Sequence, residues 1–171
     1  MRNIFLIGFM GCGKSTVAAE LQNLYGMQVC EMDQMIVESA QMSIPQIFQK
    51  YGEEYFRDLE TELLVEIGAN SNQVVSCGGG IVLRQENISE MKQSGNIVLL
   101  TANPETILRR VSGDNNRPIL QGKKTVKDIS ELMEKRREKY EMAADIMIAT
   151  DDKAIHEICE EIINKLAEIG E

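Results

Sequence analysis

The sequence predicts an α/β fold: a five-stranded parallel sheet between helical layers, in a three-layer α/β/α arrangement. Three observations predict it. Short, nearly continuous apolar runs alternate with stretches of helical periodicity along the 171 residues, as expected of strands covered on both faces and joined by helical crossovers. A glycine-rich turn follows the first apolar run and opens a helix. Connections are short, with one polar exception.

Taken in order, the strands are Asn3–Ile7, Met27–Cys30, Gln73–Cys77, Asn96–Leu100 and Asp145–Ala149. Val17, Leu21, Leu24 and Tyr25 form one helical stripe, and Phe56, Leu59, Leu63 and Ile67 another. Ile155, Ile158, Cys159, Ile162, Ile163, Leu166 and Ile169 mark an amphipathic final helix. Ser43 and Gln46 have capping-box spacing, and Asn103-Pro104 sets a cap before a first-turn proline. The polar exception is 111–124, rich in Gly, Asn, Asp and Lys, which reads as a lid loop. The length suits a single domain over 1–171.

A net charge of −9 argues against a nucleic acid partner, which needs a basic surface. An anionic ligand must then be held by locally placed cations. Cys12, Cys30, Cys77 and Cys159 form no CxxC pair, so no zinc site is indicated. His156, the sole histidine, reads as a surface residue. The apolar run Ile4–Ile7 is too short for a signal core or a membrane span. A cytoplasmic location with reduced thiols and a monomeric state are expected.

Gly8-Phe9-Met10-Gly11-Cys12-Gly13-Lys14-Ser15-Thr16 fits G-x-x-x-x-G-K-[ST]. A chance match in a chain this long is on the order of one in a hundred. Such a loop must curl so that backbone N–H groups aim at phosphate oxygens, which glycine permits. Lys14 brings positive charge to the β and γ phosphates, the Ser15 hydroxyl suits magnesium, and the helix contributes its positive end. A nucleotide site at Gly11, Cys12, Gly13, Lys14, Ser15 and Thr16 therefore implies ATP and Mg2+. The guanine-reading N-K-x-D, the D-x-x-G switch and a transporter signature loop are all absent.

Further residues carry two readings each. Asp33 follows a strand, where open α/β sheets place ligands, or is a helix N-cap. Arg57 and Glu60 can pair three apart on a helix, either to orient Arg57 for a ligand or as a surface ion pair. Gly78–Gly80 is a costly flexible turn unless something must approach the backbone closely. Arg136 shares a stripe with Ile129, Met133 and Tyr140, so it faces inward and needs an anion: a ligand or a structural glutamate. Arg117 in the polar loop is a ligand contact or a solvated charge. Cys12 is a small filler or a thiol activated by Lys14 and the helix end.

Together the phosphate loop, Glu31-Met32-Asp33, Phe56-Arg57-x-x-Glu60, Gly78-Gly79-Gly80, Arg110, Arg117-Pro118 and Lys135-Arg136 with Tyr140 resemble the shikimate kinase family. The resemblance runs from Asn3 to the last helix. It implies a fold like that of nucleoside monophosphate kinases and transfer of the γ-phosphoryl group of ATP to the 3-hydroxyl of shikimate, a step toward chorismate and the aromatic amino acids. It also implies roles, with the substrate-binding segment near 31–60. Asp33 resembles the residue that positions the nucleophilic hydroxyl. Arg57 and Arg136 resemble the carboxylate clamp, with Gly79 and Gly80 beside the substrate ring. Arg117 resembles the lid arginine on the phosphates, and Arg110 the one stacked on adenine. Lys14, Asp33 and Arg117 are then the catalytic set, with Ser15 on the metal. Glu31 departs from the family's Asp-x-Asp by one methylene. Another small-molecule kinase, such as a gluconate kinase, is the enzyme alternative. A nucleotide-dependent module without turnover is the non-enzyme alternative.

Overall fold

The computed structural model describes residues 1–111 and 125–170. β1 (Asn3–Ile7) leads through the glycine loop into α1 (Lys14–Tyr25). β2 (Gln28–Glu31) runs directly into α2 (Met32–Ala40), followed by α3 (Ile44–Tyr51) and α4 (Glu53–Gly68). β3 (Gln73–Ser76) passes through the three glycines and a single 3-10 turn, Ile81–Leu83, to α5 (Gln85–Ser94). β4 (Gly95–Thr101), α6 (Pro104–Val111), α7 (Val126–Ala143), β5 (Ile146–Ala149) and α8 (Ile155–Ile169) follow.

All strand pairs are parallel, in the order β2-β3-β1-β4-β5. β1 lies in the middle, with Phe5 between Val75 and Ile97. The ends of β1, β2 and β3 therefore open on one edge of the sheet, at the switch point where such folds bind ligands. Continuous burial holds for β1 and β3. It fails at the edge strands β2 and β5: Gln28 is exposed, and Met147 and Ala149 are exposed in alternation with buried Ile146 and Ile148, so one face of β5 is uncovered.

The helical stripes shift in informative ways. On α1, Val17, Ala18 and Leu21 are buried, but Leu24 and Tyr25 in the last turn are exposed. On α4 the buried face is Phe56, Arg57, Glu60, Leu64 and Ile67, with Leu59 and Leu63 only half-buried. Two charged residues thus share the inner face with the apolar stripe, in place of Leu59 and Leu63. α2, α3 and α4 close around a small second apolar cluster, Ile36, Ile47 and Phe56, beside the main core. The Ser43–Gln46 capping box forms: Gln46 N–H donates to Ser43 Oγ and Ser43 N–H to Gln46 Oε1. Val111, assigned to the lid loop from its neighbours, is instead the buried last residue of α6. The rest of that loop, with Arg117, lies outside the described residues.

Candidate active site

A cleft of about 610 Å³ opens along the carboxyl edge of the sheet. Its first wall is the loop 8–13. Gly11 and Gly13 hold φ of 81° and 99°, which bends the chain toward the start of α1 at no steric cost. Among the described residues no side chain caps α1, and its first helical hydrogen bond is Val17 N–H to Gly13 O. The N–H groups of Lys14, Ser15 and Thr16 precede that bond, so a helix N-terminus is open to an anion. The Lys14 ammonium rests on Gly8 O at 2.8 Å and Phe9 O at 3.2 Å. Cys12 is buried and does not line the cleft; its N–H donates to Phe9 O, and its sulfur lies inside the loop, 3.8 Å from Lys14 Nζ. That geometry fits a filler. Arg110 Nη1 donates to Gly11 O at 3.0 Å, so α6 is pinned over the loop.

β2 supplies the acidic wall. Glu31 caps α2 by position and accepts from Ser15 Oγ at 3.0 Å, while Ser15 Oγ lies 3.4 Å from Ser76 Oγ. Asp33 is in the first turn of α2, past the cap position, so the N-cap reading of Asp33 falls.

α4, α7 and the glycine turn make the third wall, where the structure decides most. Arg57 is 6% exposed and Glu60 is 0% exposed, so the surface ion-pair reading is overturned. Arg57 bonds Glu60 at 2.6 Å and Glu53 at 3.1 Å. Burial pushes the Glu60 carboxyl above its ordinary range, with Arg57 and Arg136 opposing and the like charge of Asp33 adding to the rise. Half-buried Arg136 makes no salt bridge among the described residues. Arg57 Nε, Glu60 Oε2 and Arg136 Nη1 are buried without a hydrogen-bond partner among the described residues. Buried polar atoms in that condition call for a ligand or water.

Each of the three glycines has its own neighbour. A Cβ at Gly78 would lie 2.5 Å from Glu60 Oε2, one at Gly79 would lie 3.3 Å from Arg136 Nη1, and one at Gly80 would collide with the Arg57 guanidinium. The close approach expected there is made first by the protein's own charged side chains. Tyr140 OH donates to Gly79 O. Burial pushes the Tyr140 hydroxyl up to about 12, so it stays a donor throughout any ordinary assay range. Burial likewise raises the Cys77 thiol at the cleft floor, against the pull of Lys14.

Sequence reasoning left Glu60, Ser76 and Tyr140 out of the candidate site residues. Glu60 and Tyr140 stood in quoted motifs, and for Glu60 the available signal was its spacing from Arg57. Ser76 at the end of an apolar run gave none. On the far side, Asp151 accepts from Asn103 N–H at 3.1 Å and Thr106 Oγ1 at 2.8 Å, holding the start of α6.

An open helix N-terminus, a carboxylate beside it and two inward arginines in the same cleft define a small-molecule kinase with a P-loop fold. A sequence model described as shikimate kinase matches residues 10–167. The chain belongs to the shikimate kinase family. It is 41% identical over 163 residues to the shikimate kinase of Caldanaerobacter subterraneus subsp. tengcongensis, covering 95% of each chain. It is 42% identical over 166 residues to that of Persephonella marina, covering 97% of this chain and 99% of the other. Among solved structures, the shikimate kinase of Acinetobacter baumannii in complex with shikimate superposes with a TM-score of 0.93 at 33% identity, covering 98% of this chain and 94% of that one.

Proposed function

We propose that the chain transfers the γ-phosphoryl group of ATP to the 3-hydroxyl of shikimate, giving ADP and 3-phosphoshikimate, and that a single domain carries both sites. One observation carries the reading most directly. Arg57 and Arg136 flank the glycine turn within the same cleft as the open N-terminus of α1. Together they offer an anionic acceptor a cationic pocket, in a protein whose net charge of −9 would otherwise repel it.

The residues divide the work. The N–H groups at the start of α1 hold the phosphates, and Lys14 leaves Gly8 O and Phe9 O to meet them. Arg110 and Arg117 complete the nucleotide side; the role of Arg117 rests on family resemblance. Arg57 and Arg136 grip the carboxylate, and Gly79 and Gly80 let the ring close on the backbone. The 3-hydroxyl oxygen forms a bond to the γ phosphorus as the bond to the β–γ bridging oxygen breaks. Asp33 accepts or guides the released proton. Magnesium fits the oxygen donors Ser15, Glu31 and Ser76 at the phosphate loop, since it takes few protein ligands and completes its shell with phosphates and water. When bound it would neutralise phosphate charge there. No helix among the described residues is long and apolar enough to cross a membrane. We place the enzyme in the cytoplasm as a monomer, on reduced thiols and a small-molecule partner alone.

The test is ADP release with shikimate, gluconate and AMP offered side by side. Turnover with shikimate alone is expected, and turnover with gluconate alone would reject the reading. Arg136→Ala should cost about 2–5 kcal/mol in kcat/KM, the range for breaking a desolvated charge pair. It should also lose the wild-type preference for shikimate over the analogue whose carboxylate is reduced to an alcohol. An unchanged preference would place the carboxylate elsewhere.

A further inference from the structure

Arg57 is held from two directions, and only one of them is obvious. Its ion-pair partners Glu53 and Glu60 lie on its own helix, so they fix the guanidinium relative to α4. They do not fix where α4 stands against the glycine turn. Yet that spacing is tight, because the guanidinium fills the place of a missing Cβ at Gly80.

The spacing is set by a separate polar bridge. Thr61 lies one helical turn after Arg57, and its Oγ1 donates to Asn87 Oδ1 at 2.9 Å, sharing the proton with Arg57 O at 3.1 Å. Asn87 Nδ2 donates to Ile81 O at 3.0 Å, on the residue directly after Gly80, and that bond fixes which way the Asn87 amide points. Arg84 Nη1 donates to Thr61 Oγ1 at 3.2 Å from the end of the 3-10 turn. Asn87 is 1% exposed, so these bonds do not exchange readily with water. Apolar packing alone tolerates sliding; a directed hydrogen-bond chain does not.

We propose that Thr61 and Asn87 are positioning residues for the acceptor, acting through Arg57: their bridge sets the distance between the Arg57 guanidinium and the Gly79–Gly80 backbone. The inference rests on the reading of Arg57 as a carboxylate clamp. Neither residue touches the cleft, so their effect is on the acceptor and not on the nucleotide.

Thr61→Val keeps the shape and removes the hydroxyl. It should raise KM for shikimate about tenfold, below the roughly hundredfold that an ångström of misplacement can cost. KM for ATP should hold, and Thr61→Ser should restore the wild-type value. Arg84→Met removes the outer donor together with the ion pairs of Arg84 to Glu54 and Asp58 on α4, all in a more exposed place, and should raise the same KM less. Arg57→Ala is the control. If Arg57→Ala raises KM for shikimate and Thr61→Val does not, the bridge proposal alone is overturned. If Arg57→Ala changes nothing, the clamp reading falls and takes this proposal with it. A rise in both KM values together, or failure of Thr61→Ser to restore, would make the bridge a stability element and overturn the proposal. Should Thr61→Val not fold, Arg84→Met decides: an unchanged KM for shikimate overturns it.

Discussion

At the scale of single residues, the site depends on side chains that are absent as much as on those present. Gly80 has φ −98°, a conformation open to any residue, so backbone freedom does not explain it. Space does: a methyl group there meets the Arg57 guanidinium. Gly80→Ala should displace Arg57, and overpacking of this kind costs roughly 1–3 kcal/mol. We expect kcat/KM for shikimate to fall at least about tenfold while nucleotide affinity, measured by calorimetry without acceptor, is kept. Gly79→Ala, with its 3.3 Å clearance to Arg136, should do less. Normal kinetics in Gly80→Ala would show that Arg57 has room to move and that the tight contact has no role.

At the scale of elements, α6 is held by a group far away in sequence. Asp151, just after β5, takes the N–H of Asn103 and the hydroxyl of Thr106 at the start of α6, and α6 carries Arg110 over the phosphate loop. Burial would raise the Asp151 carboxyl, but those donors outweigh it and leave it below the ordinary 3.8. A carboxylate lowered by folding gives stability that is present above its unfolded value and lost as pH falls through its folded value. Asp151→Asn keeps an acceptor oxygen but loses the charge, so it should lower stability near neutral pH by about 0.3–1 kcal/mol, the range for a carboxylate near a helix N-terminus. The difference between variant and wild type in urea titrations should close as pH drops below 3.8. A gap that stayed constant at low pH would mean the loss is one of packing, not charge.

At the scale of the whole molecule, three strand ends supply three kinds of chemistry to one edge: a phosphate loop after β1, carboxylates after β2 and a glycine turn after β3. A parallel sheet brings this about because every strand ends on the same side. Ligand and fold are then linked by mass action. A non-hydrolysable ATP analogue with magnesium at a hundred times its Kd adds about 2.7 kcal/mol. For a chain of this size that is roughly 5–10 °C in Tm. Lys14→Ala should fold and show a much smaller shift at the same concentration. An equal shift in both proteins would remove Lys14 from the phosphate contacts.

The sequence by itself determined the order of strands and helices, the phosphate loop and the Ser43–Gln46 cap, because each depends on neighbours within a few residues. A continuous apolar run over 4–7 needs no knowledge of what packs above it, and Gly13-Lys14-Ser15 carries its geometry in its own backbone. Tertiary structure decided which face of α4 is inside. Arg57 and Glu60 would pair at the same spacing on a surface or in a core; only the arrival of β3, its glycine turn and α5 buries them. The same holds for Val111 against Gly11, for Asp151 at the head of α6 and for the exposed end of α1. Burial is a property of what comes from elsewhere in the chain. The energetic roles of charged residues follow burial, because the cost of an unpaired charge is small in water and large in a closed cleft.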